Sequence, residues 1–278
     1  MRDHRTSGDG ETSGRRHENS SSFRELRVFH ARSLICGIMI LIWSIPLLSR
    51  EVLSDAAHNV PAPARVTGRI ELLNSKMKAR NGKIDASGVV VWLESMDGNS
   101  VRGPRVRQKI RQQGKRFTPH VMTVERGTEI EFPNLDLFFH NVFSLYDGKR
   151  FDLGLYASGE TRPVVFNRVG ISYIFCNIHP QMSAIVVTLD TPYFAISNES
   201  GSVTINDVAE GRYQLRVWHE RTSDEELAAQ TRPLRVVAGA NDFGVIRLNE
   251  AGYLPQPHKN KYGGQYDDQH NKPAYKRQ

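Results

Sequence analysis

From residue 65 to about 250 the apolar positions come in short runs, many alternating with polar ones, and the runs are punctuated by Gly, Asn-Gly, Asp-Gly and Pro. RVTGRIELL (65–73), GVVVWLES (88–95), HVMTVE (120–125), TEIEFPN (128–134), FHNVFSL (139–145), RPVVFN (162–167), ISYIFC (171–176) and MSAIVVTL (182–189) each read as a strand. So do GSVTIND (201–207), RYQLRVWHE (212–220), RPLRVVA (232–238) and FGVIRL (243–248). One helix start stands out: Ser223-Asp224-Glu225-Glu226 has capping-box spacing ahead of Leu227-Ala228-Ala229. No heptad or internal repeat is present. Short strands at regular spacing predict an all-β chain built of β-sandwiches.

The two ends have a different character. Residues 1–32 are polar, charged and Ser-rich and predict disorder. The tail from 251 to 278 is polar, basic and poor in aliphatic residues, which predicts disorder there too, with His258 and His270 solvated. Between the N-terminal segment and the strands lies SLICGIMILIWSIPLLS (33–49), an uncharged apolar run preceded by Arg24, Arg27 and Arg32 and followed by Ser54-Asp55-Ala56. That layout fits a secretory signal cleaved after Ala56, or an uncleaved anchor with its N-terminus inside. Either way, residues from about 57 onward lie in the periplasm or another extracytoplasmic space. Membrane contact is limited to the 33–56 segment if it is retained.

Charge adds one exclusion. The formal net charge is +7 over 278 residues. The basic residues are scattered, with no Lys/Arg block interleaved with aromatics, so a nucleic-acid groove is not expected. A protein partner of such a surface would present an acidic face. The chain has two cysteines, Cys36 in the apolar run and Cys176 far downstream, and export would separate them. Cys176 then enters an oxidising space as a free thiol, which calls for burial or a metal.

Cys176 opens the segment Cys176-Asn177-Ile178-His179-Pro180-Gln181-Met182, at the end of a predicted strand. Thiolate, imidazole and thioether together suit copper. No Cys-x-x-Cys pair is present to suggest a structural zinc site. A fourth ligand must come from elsewhere in the sandwich, and His140 in FFHNVFS is the best placed. His120 in HVMTVE reads as a structural strand residue. His219, beside Trp218, reads the same way, with a ligand role at a second site as the alternative.

In these residues the sequence resembles a known family. From about 104 to 190 it is similar to the cupredoxins: KRFTPHVMTVERGTEIEFPN resembles their first strands, His140-Asn141 their first-ligand pair, and ISYIFCNIHPQM their cysteine strand and ligand loop. The loop spacing resembles that of the amicyanin-type members best, plastocyanin having a longer His-to-Met gap, and the overall arrangement is similar to proteins of the methylamine-utilisation or plastocyanin-like kind. The resemblance implies His140, Cys176, His179 and Met182 as ligands of one type 1 copper ion, trigonal with a long axial Met bond. It also implies that Asn141 ties the two ligand-bearing segments together. Ile178 departs from the pattern, because related short loops often carry Pro there. Its backbone N–H gives the thiolate a second donor and implies a raised potential.

The flanking segments, 57–103 and 191–250, resemble the two halves of a transthyretin-like, carboxypeptidase-regulatory-type sandwich. The cupredoxin module, 104–190, is then inserted between them, the alternative being two tandem domains split near 190. Residues 146–161 read as a long connection after the first ligand strand, which either covers one side of the copper site or makes a docking surface. The expected function is one-electron transfer outside the cytoplasm, with His179 as the exposed edge and a redox protein as partner. A copper carrier or store, or a cell-surface binding module, is the alternative. Intrinsic catalysis is not expected: there is no His-x-His pair of the kind a multicopper oxidase needs, and no Ser-His-Asp or paired-carboxylate arrangement stands out.

Overall fold

The computed structural model of the chain describes residues 64–98, 102–103, 105–145, 147–250 and 258–266. The expectations for the polar segment 1–32 and for the apolar segment 33–56, including Cys36, fall outside these residues. No helix among the described residues is long and apolar enough to cross a membrane.

The chain opens with β1 (Ala64–Leu73) and β2 (Val90–Ser95). It continues through β3 (Gln108–Lys109), β4 (Arg111–Gln112), β5 (Phe117–Thr118), β6 (Val121–Glu125), β7 (Thr128–Pro133) and β8 (His140–Ser144). Then come β9 (Phe151–Tyr156), β10 (Thr161–Phe166), β11 (Gly170–Cys176) and β12 (Ser183–Leu189). It closes with β13 (Phe194–Ile196), β14 (Ser202–Val208), β15 (Gly211–Trp218), α1 (Asp224–Ala229), β16 (Arg232–Val236) and β17 (Ala240–Asn249). The capping expectation is met: the Ser223 side chain accepts from the Glu226 N–H at the start of α1.

Pairing sorts these strands into two nested groups. One sheet has the order β14-β1-β17 and another β13-β2-β15-β16, so both strands before residue 96 pair with strands after residue 193. The strands in between pair among themselves, chiefly as β10-β7-β3 and β6-β12-β11-β8-β9. The insertion point is local. β2 and β13 are antiparallel neighbours with Trp92 opposite Phe194, so the inner module occupies the turn of a hairpin.

Side-chain alternation explains why each strand sits where it does. In β1, Ala64, Val66, Ile70 and Leu72 are buried. The beat slips between Thr67 and Arg69, where the register with β17 shifts. Gly68 lies at this slip, and a Cβ there would come within 2.1 Å of the Phe243 ring, so the aromatic covers the bare backbone. β12 is buried along nearly its whole length. Ala184 and Val186 face a core with Ile174, Cys176 and Met182, while Ile185, Val187 and Leu189 join the outer sandwich core of Val66, Leu93 and Leu215. One strand therefore serves two cores. Burying each of those three larger side chains contributes about 1.5–3 kcal/mol.

Two expectations need correction. The connection 146–161 contains a strand, β9, paired with β8 from His140–Tyr156 to Ser144–Phe151. Phe151, Leu153 and Leu155 do alternate with Asp152 and Gly154, but Asp and Gly are disfavoured in strands and Gly148 and Gly159 flank the run, so it reads as a loop. The tail is also not uniformly disordered or solvated. Residues 258–266 fold against the inner module, with His258 half-buried.

Candidate metal centre

β8 and β11 are antiparallel neighbours, with Cys176 opposite Val142 and Phe175 opposite Phe143. Residues facing one another across a ladder share a sheet face, and so do residues two apart. His140 and Cys176 therefore point into the same core, where both are fully buried. The chain then leaves β11 in a tight loop. The Met182 N–H donates to the His179 carbonyl at 3.0 Å, and the Cys176 N–H donates to the Met182 carbonyl at 3.3 Å. That closure returns Met182, 1% exposed, to the core beside the cysteine and leaves His179 partly exposed.

Three donor atoms converge. Nδ1 of His140 and Nδ1 of His179 each lie 3.6 Å from the Cys176 Sγ. Donor atoms of the three residues all lie within 4.8 Å of one another. The imidazole rings are 4.9 Å apart and nearly edge-to-face. Bond lengths of about 2.0 Å to nitrogen and 2.3 Å to sulfur, at tetrahedral to trigonal angles, separate the two atoms by roughly 3.5–3.7 Å. The donor set thus has the spacing of one shared ion, and its soft thiolate with two imidazoles suits copper.

The surrounding residues prepare these donors. His140 places Nε2 2.9 Å from Asp136 Oδ2. The carboxylate accepts the Nε2 proton, which leaves the Nδ1 lone pair toward the sulfur. Burial holds His140 below its ordinary pKa against the pull of Asp136, so the imidazole is neutral. Burial acts to raise the pKa of Asp136, but the N–H groups of Lys115 and Gly114, together with His140, outweigh it and lower it. Those two N–H groups donate at 3.1 and 2.6 Å. Asn134, fully buried, shapes the loop by donating to the Phe138 carbonyl at 2.8 Å and accepting from the Asp136 N–H at 3.0 Å.

At the sulfur, burial pushes the thiol pKa up, while the backbone N–H groups of Asn141, Ile178 and His179 pull it down. Asn141 ties the ligand segments through its main chain: its carbonyl accepts from the Asn177 N–H at 2.9 Å. Its side chain reaches the other way, to Asp152 Oδ1 at 2.6 Å and the Gly154 carbonyl at 3.0 Å on β9.

Of the residues singled out in the sequence, His140, Cys176 and His179 come together, with Met182 buried beside the loop closure and Asn141 and Ile178 bordering the sulfur. His120 and His219 lie apart from this site, bonded to Glu220 at 2.9 Å and Glu250 at 2.8 Å. Sequence reasoning missed Asp136, although an acid four residues before a candidate ligand was a usable signal. It also missed Phe138, whose ring lies 5.3 Å from both imidazoles.

No family model matches the chain, and no curated protein matches it. Among solved structures, it is similar in part to a purple cupredoxin from Nitrosopumilus maritimus, at 21% identity over 30% of this chain and 99% of that one, with a TM-score of 0.27. It is similar to a Cu-containing nitrite reductase from Thermus scotoductus SA-01 at 20% identity over 43% of this chain and 28% of that one, with a TM-score of 0.29. A variant of amicyanin aligns at 15% identity over 30% of this chain and 81% of that one, with a TM-score of 0.28. These likenesses are local, and the chemistry of the site rests on its own donors.

Proposed function

We propose that this chain is an extracytoplasmic one-electron carrier that holds a single copper ion through His140, Cys176, His179 and Met182. The observation that carries the reading is the convergence of two imidazole Nδ1 atoms on one buried thiol at 3.6 Å each. A copper ion bound there supplies a site that changes oxidation state by one electron without a change of ligands. The protein's part is to hold the donors still: Asp136 fixes the His140 ring, the 176–182 loop closes on its own main chain, and core packing keeps water from the sulfur.

The surface supports transfer to a protein. Phe138 packs on both imidazoles, and its neighbours Leu137 and Phe139 are 94% and 58% exposed. Apolar area beside a half-buried histidine suits transient docking. Lys115 lies 5.6 Å over the Phe138 ring and Arg116 next to it is exposed, so the favoured partner has an acidic rim. The outer sandwich, by its resemblance to transthyretin-like domains, serves as a second docking platform.

Adding Cu(II) to the purified chain and recording its visible spectrum tests the site. An intense thiolate-to-copper band that is lost in Cys176→Ala is expected, and a colourless protein with weak Cu(II) features would overturn it. Stopped-flow oxidation compared with Cu(I) transfer to a chelator tests the role. Fast electron exchange with slow metal release is expected, whereas the reverse order identifies a copper carrier.

A further inference from the structure

Residues 258–266 are remote in sequence from the ligands, yet they bond to both segments that carry them. The Tyr266 hydroxyl donates to the carbonyl of Cys176 itself at 2.7 Å. The Lys261 N–H donates to Asn177 Oδ1 at 2.8 Å. The Lys261 ammonium meets Asp152 Oδ2 at 2.7 Å, and Asp152 Oδ1 accepts from the Asn141 side chain. One short segment thus grips β11 at Cys176–Asn177 and, through Asp152, β8 at Asn141.

The segment is shaped for this. Asn260 Oδ1 accepts from the N–H groups of Tyr262 and Gly264, both at 3.0 Å, and its amide donates to the Gln265 carbonyl at 3.0 Å. Gly263, at φ +79°, supplies the left-handed residue of that turn. A turn closed by its own side chain loses less entropy on docking than a flexible tail would. The His258 ring stacks on Phe175 at 4.1 Å, and the Tyr266 ring meets His258 edge-on at 5.1 Å. Phe175 immediately precedes Cys176 and lies on the opposite sheet face, so the strap covers the back of the ligand strand.

We propose that this C-terminal strap is a positioning element of the metal centre, with Tyr266 and Lys261 holding Cys176–Asn177 and His140–Asn141 in fixed relation whether or not the ion is bound. It deepens the copper reading and rests on it for its purpose, but the strap can be measured without copper. A site that binds an ion without rearranging must have its donors held beforehand. The cross-strand bonds of β8 and β11 do this from one side, and the strap does it from the other.

The test uses the full chain with Tyr266→Phe, Lys261→Met and the two combined, with Lys261→Arg as the conservative control. Tyr266→Phe keeps the ring against His258 and removes the hydroxyl's bond to the Cys176 carbonyl together with its 2.9 Å contact with His258 Nδ1. In the metal-free protein, amide exchange at Cys176, Asn177 and Asn141 should speed up about five-fold for each bond lost, while exchange in β1 and β17 stays unchanged. Lys261→Arg should retain most of the protection. In the copper-loaded protein, the double variant should release Cu(I) to a chelator several-fold faster and show a shifted thiolate band. Unchanged exchange in the double variant would overturn the proposal, as would an effect seen in Tyr266→Ala but absent in Tyr266→Phe, since that would make the strap simple cover for Phe175. If no version binds copper as a coloured site, the functional reading fails while the exchange result still decides the strap.

Discussion

Asp136 and His140 are four residues apart at the entrance to β8, and their side chains meet at 2.9 Å with His140 fully buried. The contact decides which imidazole nitrogen faces the sulfur. In Asp136→Asn the amide can still meet Nε2 but no longer attracts its proton as a carboxylate does. Copper affinity should fall about 10–100-fold, with unfolding midpoints nearly unchanged. Competition with a calibrated chelator reads the affinity, and an unchanged value would remove Asp136 from the site's design.

Ile178→Pro deletes a backbone N–H whose pull lowers the pKa of the Cys176 thiol. That donor stabilises the more electron-rich thiolate of the reduced state. Its loss should lower the midpoint potential, by on the order of 40 mV if the bond is worth about 1 kcal/mol. Voltammetry of the two proteins measures the difference, and a potential that stays or rises contradicts the account.

Gly201 stands at φ +79°, and a Cβ there would lie 2.1 Å from the Ile70 carbonyl oxygen. The glycine carbonyl also accepts from the Ile70 N–H at 2.8 Å, so the turn cannot move away without losing that bond. Gly201→Ala should destabilise the chain by about 2 kcal/mol or more. Gly239→Ala, also at positive φ but with nothing within 4 Å of its Cβ, should cost less. Urea midpoints of the pair separate close approach from backbone strain.

His120, just before β6, bonds Glu220, just after β15, at 2.9 Å. The Glu220 bond, acting against burial, raises the His120 pKa above its ordinary value. Burial acts to raise the pKa of Glu220, but His120 and Arg221 outweigh it and lower it. The histidine's contribution is complete below about pH 6.5 and fades as pH rises through its folded pKa. The glutamate's is complete above about pH 4.5 and fades as pH falls through its own. The stability difference between the wild-type chain and His120→Gln should therefore peak between these values and shrink toward pH 8. The ring is 47% exposed, so solvent screening keeps the peak at about 0.5–1 kcal/mol. A difference independent of pH would assign His120 to packing alone.

Alternation and turn residues made most strands legible, because each stands at a face that must be buried or wet. The seven-residue run Ser183–Leu189 shows why the arrangement was harder to read. A strand without alternation reads as buried on both sides, but nothing local says which core takes which side. At the metal centre the ligands were readable because chemistry dictates their types and the loop dictates their spacing. Asp136 left only its spacing from His140 as a signal, because the N–H groups of Gly114 and Lys115 that hold its carboxylate lie some twenty residues upstream in the chain. The tail misled for a related reason. Its composition lacks apolar mass, yet Asn260 closes its turn locally, and the His258 ring on Phe175 and the Tyr266 hydroxyl on the Cys176 carbonyl anchor it, contacts that only the folded partner supplies.

The hairpin of β2 and β13 makes the inner module a guest in the outer sandwich, and β12 makes it a wall of that sandwich as well. Grafting is therefore asymmetric. Another domain with adjacent ends could enter through the Trp92–Phe194 gate without disturbing the host's register. Excising the present one would strip Ile185, Val187 and Leu189 from the host's core and leave an apolar scar where a neighbour had stood.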